Sequence, residues 1–178
     1  MPITDAYDKM FCIAGKKYNI KKLLLKAIAI TESGLDPKAY RFEPLYFERY
    51  MKDKPEWADK DPKVVSASYG LLQIMFPVAV NLGFVGTAEE LCDPMINIML
   101  GAKLMRQLID RATKQRLTDQ FYWLSNLQIC LSRFNGGSWK NPDEMGVLRN
   151  QKYVRKVLKQ FGELRKVEAE CTDAEGDS

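Results

Sequence analysis

Glu32 closes the apolar run Lys26-Ala27-Ile28-Ala29-Ile30-Thr31, and Gly34 and Pro37 break the chain just beyond it. A carboxyl group held against apolar neighbours loses hydration in its charged form, so its pKa rises and it keeps its proton nearer neutrality. The C-terminal end of a helix is also unfavourable for an anion. Such a group can donate a proton to a leaving oxygen, as cleavage of a glycosidic bond requires. The competing reading is a surface glutamate near a helix end, and Glu32 alone would not decide between the two.

The chain contains no histidine. That removes the commonest metal ligand and the commonest neutral-pH base. Zinc hydrolysis and Ser-His-Asp or Cys-His chemistry all lose a principal member, and acid-base work falls to carboxylates, tyrosine or lysine. Cys12, Cys92, Cys130 and Cys171 form no Cys-x-x-Cys pair. The first three sit in apolar surroundings and read as small core residues. No metal or cofactor is expected, and a chain of this size requires no disulfide.

The elements that must position Glu32 read as helices. We expect an amphipathic helix over 4–16 with Ala6, Met10 and Ile13 inward, and a second running from an Asn19 N-cap to about Thr31. A turn over 33–41, a short helix at Tyr46–Met51 and an exposed loop at Lys52–Lys63 should follow. A helix is expected around Leu71–Val80, interrupted at Pro77. Thr87-Ala88-Glu89-Glu90 has capping-box spacing. Asp93-Pro94 supplies an N-cap and a proline at N1 for a helix to about Ala112, with Ile98, Ala102, Met105 and Ile109 inward and Gly101 marking close packing. Further helices are expected at Asp119–Phe134, stopped by Asn135-Gly136-Gly137, and at Gln151–Val167. Strand signals are weak throughout. The fold class is therefore mainly α, one domain over 1–167 with little or no sheet, followed by an acidic disordered tail over 168–178.

Charge is uneven. Residues 1–162 carry 25 Lys and Arg against 17 Asp and Glu, whereas 163–178 carry two against six. A basic body favours an anionic partner. No Arg/Lys block is long enough to track a phosphate backbone, which argues against nucleic acid. No apolar span is long enough to cross a bilayer. The start Met1-Pro2-Ile3-Thr4-Asp5 lacks a positive n-region and an apolar h-region, so we expect a chain made without a signal peptide.

Two further segments join Glu32-Ser33-Gly34-Leu35-Asp36-Pro37: Ser66-Ala67-Ser68-Tyr69-Gly70-Leu71-Leu72-Gln73-Ile74-Met75-Phe76-Pro77, and Arg133-Phe134-Asn135-Gly136-Gly137. In order and spacing the three resemble the soluble lytic transglycosylase family, which shares a lysozyme-like fold with goose-type lysozyme. The resemblance covers roughly residues 20–160. It implies a lysozyme-like helical domain, acting as a monomer on peptidoglycan glycan strands. Glu32 matches the general acid/base, Gln73 a glutamine lining the sugar groove, Met75 a methionine beneath the substrate, and Asn135 an asparagine near the glutamate. Ser33, Ser68, Tyr69 and Phe134 fall within the same motifs as substrate-binding candidates. Phe134 stands where the family usually has tyrosine, and Tyr40, Tyr46, Tyr69 and Tyr153 are candidates to supply the missing hydroxyl.

The implied reaction needs one carboxyl. The protonated acid cleaves the MurNAc–GlcNAc β-1,4 bond, the C6 hydroxyl of muramic acid attacks intramolecularly, and a 1,6-anhydro end results. A second reading is an inverting muramidase with Glu43 as base. That mechanism holds a water between carboxylates about 6.5–9.5 Å apart. Glu43 lies in Tyr40-Arg41-Phe42-Glu43-Pro44-Leu45-Tyr46, an aromatic insertion that looks like a segment of phage-encoded muralytic proteins. An ordinary Arg41–Glu43 charge cluster is the competing explanation. A third reading is an inactive lysozyme-like module of a phage tail or secretion apparatus. The expected lack of a leader fits delivery to the cell wall by a holin or a virion better than a resident periplasmic enzyme, and is equally consistent with non-classical export.

Overall fold

Asn19 ends the first helix rather than opening the second. The computed structural model describes residues 6–114, 124–136 and 147–175. The expected helix starts near 4 and at Asp119, together with Gly137 and the side chain of Cys171, lie outside them. Helix α1 spans Asp8–Tyr18, and Asn19 adopts a left-handed conformation (φ 51°) with its N–H donating to the Gly15 carbonyl. Asparagine tolerates that geometry, so it serves as a C-terminal cap. The buried stripe of α1 is Phe11 and Ala14, with Met10 packed against the core and Ile13 facing solvent.

Helix α2, Lys22–Ser33, buries Leu24, Leu25, Ala27, Ile28 and Ala29 and stops at Gly34, whose positive φ permits the chain reversal. It packs most extensively on the last helix, α8 (Gln151–Glu175). Lys26 is buried on α2 and reaches Asp8 of α1 at 2.5 Å.

Between α2 and the long central helix the chain builds a small sheet instead of the helix expected at Leu71. Strands β1 (Tyr40–Phe42), β2 (Ala67–Tyr69) and β3 (Ile74–Met75) are antiparallel in the order β1-β2-β3. Strands of two and three residues are too short to show alternation, which explains their silence in the sequence. Helix α3 (Pro44–Tyr50) follows β1, α4 (Pro62–Val65) precedes β2, and α5 (Phe76–Asn81) follows β3, each with proline in its first turn. The turn from β2 to β3 needs Gly70. Its φ is +70°, and a Cβ there would meet the Leu91 carbonyl oxygen and the Asn97 amide nitrogen at 2.6 Å.

A 3-10 turn, Glu89–Cys92, leads to α6 (Pro94–Lys114). The Glu90 carboxylate accepts from the Thr87 N–H at 2.8 Å, and Asp93 caps α6 by accepting from the Ile96 N–H at 2.9 Å. Ile98, Ala102 and Met105 are buried as expected, and Gly101 admits Leu72 so closely that a Cβ would lie 2.8 Å from it. Helix α7 is Asn126–Gly136, opened by a reciprocal pair: Gln128 N–H to Ser125 Oγ at 3.2 Å and Ser125 N–H to Gln128 Oε1 at 2.7 Å. It runs through Asn135 rather than stopping before it. Helix α8 spans Gln151–Glu175, so the acidic segment beyond Val167 continues the helix, and Glu168 bridges to Lys22 of α2 at 2.7 Å. Among the described residues Cys12, Cys92 and Cys130 are free, and no helix is long and apolar enough to cross a membrane.

Candidate active site

Ser33 joins the first two motifs. Its hydroxyl donates to the Leu71 carbonyl at 2.9 Å, fastening the end of α2 to the β2–β3 turn. Glu32, one residue earlier, therefore lies at the edge of a groove of about 260 Å3. Glu32, Arg41, Glu43, Tyr46, Ser68, Gln73, Met75, Phe134 and Asn135 are among its lining residues.

The pairing register explains which residues of the sheet face the groove. Arg41 pairs with Ser68, and Ser68 with Met75, so the three form one row across the strands, and all three line it. Tyr40 and Tyr69, the strand neighbours of Arg41 and Ser68, alternate to the other face, whereas Ile74 beside Met75 also borders the groove. Tyr69 is accordingly buried, with its hydroxyl donating to the Val64 carbonyl at 2.9 Å. Ser33 and Tyr69 thus stand outside the groove lining, as fasteners of the scaffold. Glu43 lies two residues from Arg41, on the same side, and accepts from its Nε at 2.6 Å. This is the charge pair anticipated for the insertion, and it is built into the groove wall.

Gln73 has a left-handed backbone (φ 48°) at the end of the turn. Its Nε2 donates to the Ala39 carbonyl at 3.1 Å and the Gly70 carbonyl at 3.0 Å. Carbonyl oxygens can only accept, so the side-chain orientation is fixed: nitrogen to the backbone, and Oε1 left to accept from a ligand.

Behind this turn stands Asn97, fully buried on α6, which the sequence reading did not single out. Its Nδ2 donates to the Tyr69 and Leu91 carbonyls, both at 2.8 Å, and its Oδ1 accepts from the Leu72 N–H at 2.7 Å. Three turn groups that would otherwise be buried without partners are satisfied by one side chain.

Burial raises the Glu32 pKa above the ordinary carboxylate range; Tyr153, Arg41, Asn135 and Lys156 oppose the rise. Burial wins. The carboxyl keeps its proton to higher pH while remaining within reach of groups that can stabilise its anion. Of the four tyrosines considered for the missing hydroxyl, Tyr40 and Tyr69 bond to the backbone of α4, and Tyr46 lines the groove. Tyr153 is the one that acts on Glu32. Its hydroxyl is fully buried beside Glu32, and burial, the Glu32 charge and the interaction of the two side chains push its own pKa up.

This makes a testable pair of signs. With Tyr153→Phe, unfolding free energy should hold in acid, where Glu32 is protonated in both folded and unfolded states, and fall at pH above the native Glu32 pKa, where the carboxylate loses the hydroxyl's support. The substitution removes a group that favours ionised Glu32, so the Glu32 pKa should rise further. Activity that requires protonated Glu32 should then persist to higher pH, read as an upward move of the alkaline limb of the rate profile. An unmoved limb would dissociate Tyr153 from Glu32.

The architecture is a helical frame around a short sheet, with a shielded carboxyl in a polar-rimmed groove. The chain belongs to the transglycosylase SLT domain family, whose sequence profile matches residues 9–143. That family comprises enzymes cleaving glycosidic bonds of peptidoglycan, which directs the chain to the bacterial cell wall. No curated protein matches the chain. Tyr153 and Asn150 lie beyond the matched segment.

Proposed function

We propose that the protein is a peptidoglycan lytic transglycosylase that cleaves the MurNAc–GlcNAc β-1,4 bond with Glu32 as its single acid and base. The observation that carries this reading is the Glu32 carboxyl itself, lining the groove with its pKa raised by burial. Protonated Glu32 gives its proton to the glycosidic oxygen as the bond to C1 breaks. The positive charge developing at C1 is captured by the sugar's own C6 hydroxyl. That hydroxyl's proton passes to the Glu32 carboxylate, closing a 1,6-anhydro ring and restoring the acid. Because the nucleophile is part of the substrate, no second carboxylate is needed. Gln73 Oε1 suits the N–H of an acetamido group or a sugar hydroxyl, and the Tyr46 and Phe134 rings suit sugar faces.

Glu43 keeps the hydrolytic reading in view because it lines the same groove. Its pairing with Arg41 at 2.6 Å favours a role in wall structure and charge balance over holding an attacking water. Mass spectrometry of digested cell walls separates the two readings. A transglycosylase leaves anhydro-muramyl ends, and Glu43→Gln should retain activity to within about tenfold. A muramidase leaves reducing ends, and Glu43→Gln should lose about a thousandfold or more.

A further inference from the structure

Asn150 stands immediately before α8 and bridges two residues of α7. Its Nδ2 donates to the Ser132 carbonyl at 2.9 Å and to Asn135 Oδ1 at 2.9 Å, while its Oδ1 accepts from the Ser132 hydroxyl. Ser132 and Asn135 are one helical turn apart, so one side chain reaches both. The backbone carbonyl of Ser132 can only accept, which identifies the Asn150 corner facing it as nitrogen. The same nitrogen faces Asn135, so the Asn135 corner facing Asn150 must be oxygen. The Asn135 Nδ2 is therefore left free for the groove that Asn135 and Glu32 both line.

We infer that Asn150 is a positioning residue for the reaction: by holding Oδ1 of Asn135 it presents Asn135 to the groove as a hydrogen-bond donor, toward the carboxylate that Glu32 becomes after giving up its proton. An unanchored Asn135 can rotate its amide and turn an acceptor toward that anion. The inference rests on Glu32 being the acid proposed above. In keeping with this arrangement, Asn135 is among the groups that favour ionised Glu32. Among the described residues, the charged and titratable groups facing Glu32 or sharing its groove are Arg41 from β1, Glu43 just after it, Tyr46 from α3, and Lys156 and Tyr153 from α8. None is altered by changes at positions 135 or 150.

The test is a double-variant cycle on the full chain with soluble, uncrosslinked glycan strands. Asn135→Ala and Asn150→Ala should each lower kcat about tenfold with KM within about twofold, the loss expected for a hydrogen bond to an ionised group. Asn150→Ala should also shift the alkaline limb of kcat upward, since the donor that favours the anion is no longer held. The double variant should be no slower than Asn135→Ala alone. Losses that multiply in the double variant, or an Asn150→Ala enzyme at the native rate, overturn the inference. If Asn150→Ala does not fold by circular dichroism, Ser132→Ala serves instead, because it removes one anchor of Asn150 and keeps both of its donated bonds. Its smaller loss should vanish in the Asn135→Ala background, and an equal loss there overturns the inference. Glu32→Gln run in parallel separates the two levels. Activity surviving in it refutes the acid assignment, whereas the coupling of positions 135 and 150 is read independently of that result.

Discussion

Glu32→Gln should lower the rate of glycan cleavage by about a thousandfold or more while raising stability at neutral pH. The first half follows from the mechanism. Gln has the shape of the protonated acid but no proton that it can release, and no anion to take the C6 hydroxyl proton back. The second half follows from the raised pKa of Glu32, whose cause is burial. In the unfolded chain the carboxyl ionises freely at ordinary carboxylate pH. In the folded protein ionisation is disfavoured, so the unfolded state loses its proton first, and folding is penalised as pH rises through the folded pKa. Below the unfolded pKa both states hold the proton and the penalty is absent. The variant should therefore match the native protein in acid and exceed it in unfolding free energy at neutral and alkaline pH. Urea titrations at several pH values would show this as a gap that opens with pH. Retained lysis by Glu32→Gln, or a gap of the opposite sign, would overturn the assignment of Glu32 as a shielded acid.

What could be read from the sequence was local. Asp93-Pro94 announced the start of α6, and the Thr87–Glu90 spacing forecast a bond that forms at 2.8 Å. Glu32 could be suspected because its neighbours in the chain are also its neighbours in the helix. Nearest-neighbour chemistry also misled. Asn19 next to a polar segment suggested an N-cap, yet asparagine serves equally as a left-handed C-cap, and only the path of the following residues decides. Along the acidic segment, glutamate and alanine favour helix, and α8 runs on through it to Glu175. The sheet was hidden because its strands are stabilised by register with one another rather than by a pattern within any of them.

The convergence on Glu32 was the least visible part. Arg41 arrives from β1, Asn135 from α7 and Tyr153 from α8, and no spacing in the chain encodes their meeting. Motif resemblance brought Asn135 and Gln73 forward. It could not select Tyr153 from four tyrosines, nor reveal that the Ser33 hydroxyl is spent on Leu71. The β-period would have excluded Tyr69 from the groove as soon as Ser68 was placed in it, had the strand been recognised.

Asn97→Leu should be the most damaging change outside the groove, costing about 3 kcal/mol or more of unfolding free energy. Leucine fills a similar volume, so the loss is one of partners and not of packing. The Tyr69 and Leu91 carbonyls and the Leu72 N–H would all be left in a water-free interior. Each such group costs about 1–3 kcal/mol when unpaired. The turn cannot relax outward, because Leu72 is held against Gly101 and Gly70 has no room to shift past Leu91. The consequence reaches the groove through Gln73, whose side-chain nitrogen is held by the Gly70 and Ala39 carbonyls of the same turn. A loosened turn releases that amide, so substrate binding should weaken even at temperatures where the variant is folded, seen as a rise in KM. Asn97→Asp sharpens the argument. It keeps an acceptor for the Leu72 N–H but turns a second oxygen on two carbonyls, and should be at least as destabilising as leucine. Urea unfolding that finds either variant within about 1 kcal/mol of the native protein would mean that the turn is held by something other than Asn97.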